Sequence, residues 1–375
     1  MENPLVTLQG ETIAQACLLM ALELSEKKWR LGFSDGRQPM RHDSVGAGDT
    51  VQLMVALAKA KARFKLPAQA RVLSCYEAGR DGFWLHRFLV EHEVENLVVD
   101  SASIEVNRRA RRAKTDRLDV GKLLGLLRRH CSGEQVWRVV RVPSVAEEDA
   151  RRVHREVERL KDERTQHTNR IRSLLVLHNV RVQRVGGGGF ERRLVEWQGR
   201  LPPHLLAEIE REAERLKLVE RQLAALAAER RAQFATDTKE SKSMRHLARL
   251  YGIGADGAWL LVREFFGWRR FANRREVGAA AGLTGSPYAS GTLVREQGIS
   301  KAGNKRVRWL MIQLAWSWLR HQPHSALSQW FGSRFSEGKR MRRVGIVALA
   351  RKLLIELWRY LEQGVIPAGA RLKAA

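Results

Sequence analysis

Between residues 13 and 24 the chain is almost wholly apolar, interrupted only by Gln15 and Glu23. A short run of that kind is consistent with a buried strand, which has to sit inside a sheet. Ser25-Glu26-Lys27-Lys28 predicts a turn, Trp29 to Phe33 a second strand, and Asp35-Gly36 a hairpin signal. A third strand is expected around Met40 to Val45. Asp49 or Thr50 can cap a helix whose apolar positions Val51, Met54, Val55 and Leu57 recur at helical spacing. Arg71 to Tyr76 then reads as a strand, Phe83 to Val90 as a helix, Asn96 to Asp100 as a strand, and a further helix starts at about Asp116. The order β-β-β-α-β-α-β-α implies a central mixed sheet flanked by helices.

The rest of the chain is predicted to be helical, so the fold class is α/β plus all-α. From Ala146 to about Asn179 the sequence is highly charged. Val153, Val157, Leu160, Ile171, Leu174 and Leu177 nevertheless form an apolar stripe at helical spacing. Gly186 to Gly189 is a flexible break, and a second long helix follows Pro203 with Leu216, Val219, Leu223 and Leu226 along one side. Two antiparallel helices or an intermolecular coiled coil both fit this pattern. The charged faces suit solvent, with oligomerisation or RNA contact as alternatives. Further on, Gly252-Ile253-Gly254 lies between two helical patterns. It resembles the turn of a helix-hairpin-helix, in which Gly252 and Gly254 would let backbone amides approach a phosphate; a tight interhelical turn fits equally. The tail from about Val344 to Leu361 reads as an amphipathic helix preceded by Lys339, Arg340, Arg342 and Arg343. Predicted boundaries are 1–145 for the α/β domain, 146–238 for a long-helix, coiled-coil-like region and 239–375 for a mostly helical C-terminal domain.

Charge narrows the partner. The chain carries 67 Lys and Arg against 41 Asp and Glu, a formal +26, which favours polyanions through counterion release. Its three cysteines, Cys17, Cys75 and Cys131, have no metal-ligand spacing, so neither a disulfide framework nor a zinc site is indicated. The four-glycine run lacks a following Lys-Ser/Thr and is not a P-loop. Neither a signal peptide nor a membrane span is expected, which makes the cytoplasm the expected compartment.

Two short segments carry the chemistry. In Lys114-Thr115-Asp116-Arg117-Leu118-Asp119 the two carboxylates are three residues apart and would share a helix face. The element order before them is that of an RNase H-like or RuvC-like nuclease domain, whose first and fourth strands present carboxylates toward such a helix. Glu23 ends the first predicted strand and Glu77 directly follows the fourth. Two-metal phosphoryl chemistry needs this kind of convergence. An Asp pair alone also serves helix-dipole compensation or a salt bridge to Arg112 or Arg117. Asp100 is expected to be a cap. Arg108, Arg109, Arg111, Arg112 and Lys114 precede the pair, as a solvated run or as a grip on the substrate backbone.

The second segment, Ala279 to Gly291, runs from a small-residue helix into a turn-rich loop, followed by Ile299 to Arg306 and a helix. Ser286, Ser290 and Ser300 can each be a turn or cap residue, and no His-Asp pair singles out a nucleophile. A serine attacking phosphate can instead be activated by metal and cationic neighbours.

The motifs together resemble the IS-one-ten family of DEDD-type insertion-sequence transposases, the bridge-RNA-guided serine recombinases. The matching elements are Lys-Thr-Asp-x-x-Asp at 114–119, Glu-Ala-Gly at 77–79 and the Pro-Gly-Ile-Gly-like segment at 251–254. Ala-Gly-Leu-Thr at 281–284, Tyr-x-Ser-Gly at 288–291 and Ser-Lys-Ala-Gly at 300–303 also match. Glu23 stands where the family usually has Asp, and Tyr251 replaces the usual proline. The resemblance implies that Glu23, Glu77, Asp116 and Asp119 bind Mg²⁺ or Mn²⁺. It implies that Ser290 attacks DNA to give a phosphoserine intermediate, and that Lys301, Lys305 and Arg306 contact nucleic acid with the basic residues above. Expected partners are double-stranded donor and target DNA, a structured bridge RNA and further copies of the chain, in a tetramer built as a dimer of dimers. The setting would be the bacterial cytoplasm, at the nucleoid when active. The alternatives are a RuvC-like junction endonuclease, which would need the carboxylates but not Ser290, and a non-enzymatic nucleic-acid-binding protein, which would need neither.

Overall fold

A computed structural model describes residues 17–79, 81–104, 116–290, 293–335 and 338–374, with the backbone alone for residues 102, 116–118, 286–290 and 293–297. The chain divides into two compact units, Met1–Pro143 and Ser144–Ala375.

The first unit is a five-stranded mixed sheet with helices on both faces. Its elements are β1 (Cys17–Glu23), β2 (Lys28–Ser34), β3 (Arg41–Gly46), α1 (Thr50–Arg63), β4 (Arg71–Glu77), α2 (Trp84–Glu91), β5 (Val94–Val99) and α3 (Asp116–Cys131). The strand order is β3-β2-β1-β4-β5. β1 pairs in parallel with β4, and β4 with β5, while β2 and β3 extend the sheet antiparallel. The apolar run of β1 is explained by its central place. Leu18, Met20 and Leu22 pack with Leu53, Leu57, Leu85 and Leu89 of α1 and α2. The alternate residues Leu19 and Ala21 pack with Val120, Leu123, Leu124 and Leu127 of α3. A strand buried on both faces loses its polar alternation. Asp49, not Thr50, is the cap of α1, its carboxylate accepting from the Gln52 amide at 2.9 Å.

The second unit contains α4 (Val145–Asp149), α5 (Arg152–Val176), α6 (Gly188–Glu196), α7 (Pro203–Ala235), α8 (Lys239–Ala248) and α9 (Ala255–Leu261), which runs into a π-turn at Val262–Phe266. It continues with α10 (Arg274–Ala280), β6 (Gly285–Ser290), β7 (Leu293–Ile299), α11 (Lys305–His321), α12 (Ala326–Phe335) and α13 (Lys339–Gln363). The long helices α5 and α7 pack antiparallel within the chain. Ile171, Leu174 and Leu175 meet Leu206, Ile209 and Leu216 in one core, and the His167–Glu212 hydrogen bond and the Arg170–Glu208 ion pair run along its edge. Leu177 does not join this stripe: it is the C-cap of α5 and is exposed, because the helix ends one residue before it. The remaining helices surround Trp259, Phe265, Trp318, Leu349, Leu353 and Leu357.

Further local expectations are corrected, beginning with the four-glycine break, whose Gly188 and Gly189 open α6 behind the N-cap Gly187. Residues 285–290, expected as a turn-rich loop, form β6, which pairs antiparallel with β7. Pro287 is accommodated because in a two-stranded sheet each strand keeps an edge on which no amide donor is required. The C-terminal helix begins at Lys339 rather than near Val344, so the basic residues 339–343 form its first turn.

Candidate active site

In the first unit the parallel pairing of β1 with β4 sets Leu22 opposite Tyr76, so that Glu23 and Glu77 close neighbouring strands at the same end of the sheet. Both are partly buried. They line one cleft of about 430 Å³ together with Ser25, Glu26, Gly79 and Asp81. The chain leaves β1 toward β2 on one side and β4 toward β5 on the other, the kind of divergence at carboxyl strand ends where α/β sheets hold ligands. α3 packs across β1, β2 and β4 through its apolar face. Asp116 is its first residue, and Asp119 lies one turn on, partly buried, with Lys122 Nζ at 3.3 Å. Asp100 ends up in the turn after β5, its carbonyl accepting from the Ser103 amide at 2.8 Å.

Among the described residues, no three Asp, Glu, His or Cys side chains converge as a preformed metal cage. The cleft nevertheless offers only oxygen donors, from Glu23, Glu77, Glu26 and Asp81, the donor type that hard divalent cations take. Glu26 and Asp81 are absent from the sequence-derived set. Their one signal is proximity in the chain to Glu23 and Glu77. The cysteines are poor nucleophiles: burial pushes the Cys75 thiol up, and with the neighbouring Cys17 it raises Cys131 to about 11. Arg108, Arg109, Arg111, Arg112 and Lys114 lie outside the described residues.

In the second unit Ser290 is the last residue of β6, opposite Leu293. The base of this hairpin is locked. Ser300 and Lys301 amides donate to the carbonyls of Thr284 and Gly282 at 2.8 and 3.1 Å, and the Asn304 amide donates to Ala280 at 2.8 Å. Arg308 Nη1 donates to Ala281 O at 3.2 Å and to Lys301 O at 2.9 Å. The approach is so close that a Cβ on Gly282 would come within 2.4 Å of the Ala302 carbonyl, and one on Gly303 within 2.4 Å of Ala280 O. Both glycines also have φ of +67 and +118°, so no other residue fits. The Ala-Gly-Leu-Thr and Ser-Lys-Ala-Gly segments, distant in sequence, are thus two halves of one clasp.

Asn304 ties the clasp to the long helices. Its side chain caps α11 and also donates to Glu264 Oε2 at 3.3 Å. Glu264 is fully buried and accepts two hydrogen bonds from Arg155 of α5, at 2.7 and 3.1 Å. Burial, the largest influence, pushes the Glu264 carboxyl up, but Arg155, Asn304 and Arg151 outweigh it and hold it below its ordinary value of 4.5. This pair was missed from the sequence, where its signal was a glutamate inside the apolar run Trp259 to Phe266. Arg306, predicted to contact nucleic acid, is held 2.5 Å from Glu158 of α5, whereas Lys301 and Lys305 are exposed. Gly252 sits in the turn between α8 and α9, with its carbonyl accepting from Ser317 Oγ at 2.8 Å and a Cβ only 3.3 Å from Ser317 O, so close packing on α11 already requires a glycine. Gly254 is the N-cap of α9.

The buried pair is asymmetric, and so are its expected mutants. Arg155→Ala leaves an uncompensated carboxylate in the core and should cost about 3–5 kcal/mol. Glu264→Gln keeps polar partners for Asn304 and the half-exposed Arg155, and should cost only about 1 kcal/mol. Because the folded carboxyl is depressed, its stabilisation is present above the ordinary carboxylate value and is lost as pH falls through the folded one. Denaturant melts of the two variants at neutral and acid pH check this; equal costs at neutral pH would contradict the asymmetry.

A family model described as Transposase IS116/IS110/IS902 family matches residues 244–329, the span from α8 through the hairpin to α12. A protein of Sinorhizobium fredii (strain NBRC 101917 / NGR234) named as a transposase, y4rJ, is 41% identical over 95% of this chain and 94% of its own length. The transposase for insertion sequence element IS1328 of Yersinia enterocolitica is 26% identical over 57% of this chain and 63% of its own. The chain is an insertion-sequence transposase and belongs to the IS116/IS110/IS902 family. Membership brings DNA recombination and a DNA partner. Among the described residues no helix is long and apolar enough to cross a membrane.

Proposed function

We propose that the chain is an RNA-guided serine recombinase in which an RNase H/RuvC-like first unit and the Ser290 hairpin act on one DNA phosphate. The observation that carries the reading is the paired ending of β1 and β4 in Glu23 and Glu77, beside a helix whose first turn holds Asp116 and Asp119. Those four carboxylates would hold Mg²⁺ or Mn²⁺, whose chemistry is to stabilise the attacking and leaving oxygens of a phosphoryl transfer. The Ser290 hydroxyl attacks phosphorus, forms a serine phosphodiester and gives up its proton, while the broken P–O bond leaves a DNA hydroxyl that takes one up. A second DNA hydroxyl then displaces the serine in the same manner. The ester keeps the energy of the broken linkage for the joining step.

Specificity would lie in pairing between a structured RNA and the donor and target DNA, with the protein reading backbone and shape. A formal charge of +26 on 375 residues suits a chain that carries both RNA and DNA. The working form would be a tetramer in which one subunit's carboxylates meet another's serine.

The experiment removes the RNA. Nuclease-treated, repurified protein should lose sequence-specific recombination and recover it when the element's own RNA is added back. Full, sequence-specific activity from nucleic-acid-free protein would refute guidance.

A further inference from the structure

One face of α11 does not bury its aromatic residues. Lys305, Trp309, Gln313, Trp316 and Arg320 recur at helical spacing and are all exposed. Trp309 is 60% exposed and Trp316 38%, on a helix whose other face packs Val307, Met311, Ala315 and Trp318 into the core. Fully satisfied folding would place such large apolar rings inside, and their clustered exposure marks a contact surface.

The chemistry around them indicates the occupant. α11 has no acidic residue and exposes Lys305 and Arg320 on this face. Its Arg306 and Arg308 are held by Glu158 and by the clasp carbonyls, and α13 has no acidic residue before Glu356. Arg342, in the first turn of α13, stands over the Trp316 ring at 5.6 Å. Four cations, Lys339, Arg340, Arg342 and Arg343, occupy that turn. The helix dipole disfavours cations there, so the arrangement is best offset by an external anion. The same face of a second copy is a poor candidate, since it brings the same cations, Lys305, Arg320 and those of the first turn of α13. Cations interleaved with exposed aromatic planes match nucleic acid, with guanidinium and ammonium groups on phosphates and rings on bases.

Within a duplex both faces of each base are already covered by neighbours, so only unstacked bases offer a plane to a tryptophan. Trp309 and Trp316 are seven residues apart, about 10 Å along the helix axis, too far to clamp a single base between them. Each ring would take its own base along one strand. We propose that this face of α11, with Arg342, is a stacking platform for unpaired DNA, the form DNA passes through when strands are exchanged. The proposal rests on the family's DNA partner and is independent of Ser290 and of the carboxylates.

The test uses the full chain, a short unstructured DNA strand, the corresponding duplex, and an RNA of the same sequence. Trp309→Ala and Trp316→Ala should each weaken single-strand DNA binding by roughly tenfold or more, as loss of one base–aromatic stack does. Duplex binding and the salt dependence of single-strand binding should change little, because the cations remain. Trp309→Phe, which keeps a ring, should retain most of the affinity. Any of four results would overturn the assignment: unaltered single-strand binding in the double alanine variant, equal losses on single strand and duplex, a loss confined to RNA, or a smaller assembly by light scattering. The last would make the face an interface between copies.

Discussion

Ser290→Ala should assemble with DNA and RNA like the parent protein and yet yield neither a covalent adduct nor a recombinant. With Mg²⁺, the element's RNA and matching DNA, the parent should give a protein–DNA species that survives denaturation and maps by peptide sequencing to Ser290. In the proposed two-step route the serine ester carries the bond energy from the broken linkage to the new one. A nuclease that uses water discards that energy and needs no serine. Ser286 and Ser300 are the controls, since Ser286 shares β6 and Ser300 lies in the clasp at the hairpin base. Recombinants from Ser290→Ala, or an adduct on either control serine, would transfer the chemistry elsewhere.

The second large effect concerns the carboxylates. Asp116→Ala or Asp119→Ala should slow strand cleavage by about a thousandfold or more, the rate equivalent of about 4 kcal/mol of lost charge stabilisation. DNA and RNA affinity should stay within about twofold, because binding rests on cationic contacts. Glu23 allows a finer test. Glu23→Asp, which keeps a carboxylate on a shorter side chain, should remain active and Glu23→Ala should not. An active Glu23→Ala variant would point to Glu26 or Asp81, which share its cleft, as the real donor.

The sheet was legible because its signals are local and strong. The apolar run of β1, the Asp35-Gly36 hairpin and the Asp49 cap each determine their own element, and the strand order follows from few alternatives. The ends of β1 and β4 were legible for the same reason: the residue that terminates an apolar strand is visible in sequence. The hairpin was not. Gly285 to Ser290 is rich in Gly, Pro and Ser, whose local preferences are for turns, and only pairing with Leu293 to Ile299 makes it a strand. The Arg155–Glu264–Asn304 chain was hidden because its links span 109 and 40 residues of sequence, and burial of a charge is decided by tertiary contact alone. The glycines at 282 and 303 were visible as motifs, but their reason, a mutual approach of two backbones, belongs to the folded state.

That clasp has a mechanical consequence. β6 rises about 3.3 Å per residue, which puts Ser290 about 17 Å beyond Gly285. An arm held so firmly at one end acts as a lever. A tilt of about 10° at the clasp would carry the serine sideways by about 3 Å, when a displacement of about 1 Å is enough to spoil a reacting geometry. Small substitutions at Ala280 or Ala302, which leave Gly282, Gly303 and the Asn304 cap in place, should therefore act as aiming errors: on the proposed reading the protein stays folded and Ser290 is intact but pointed past its target.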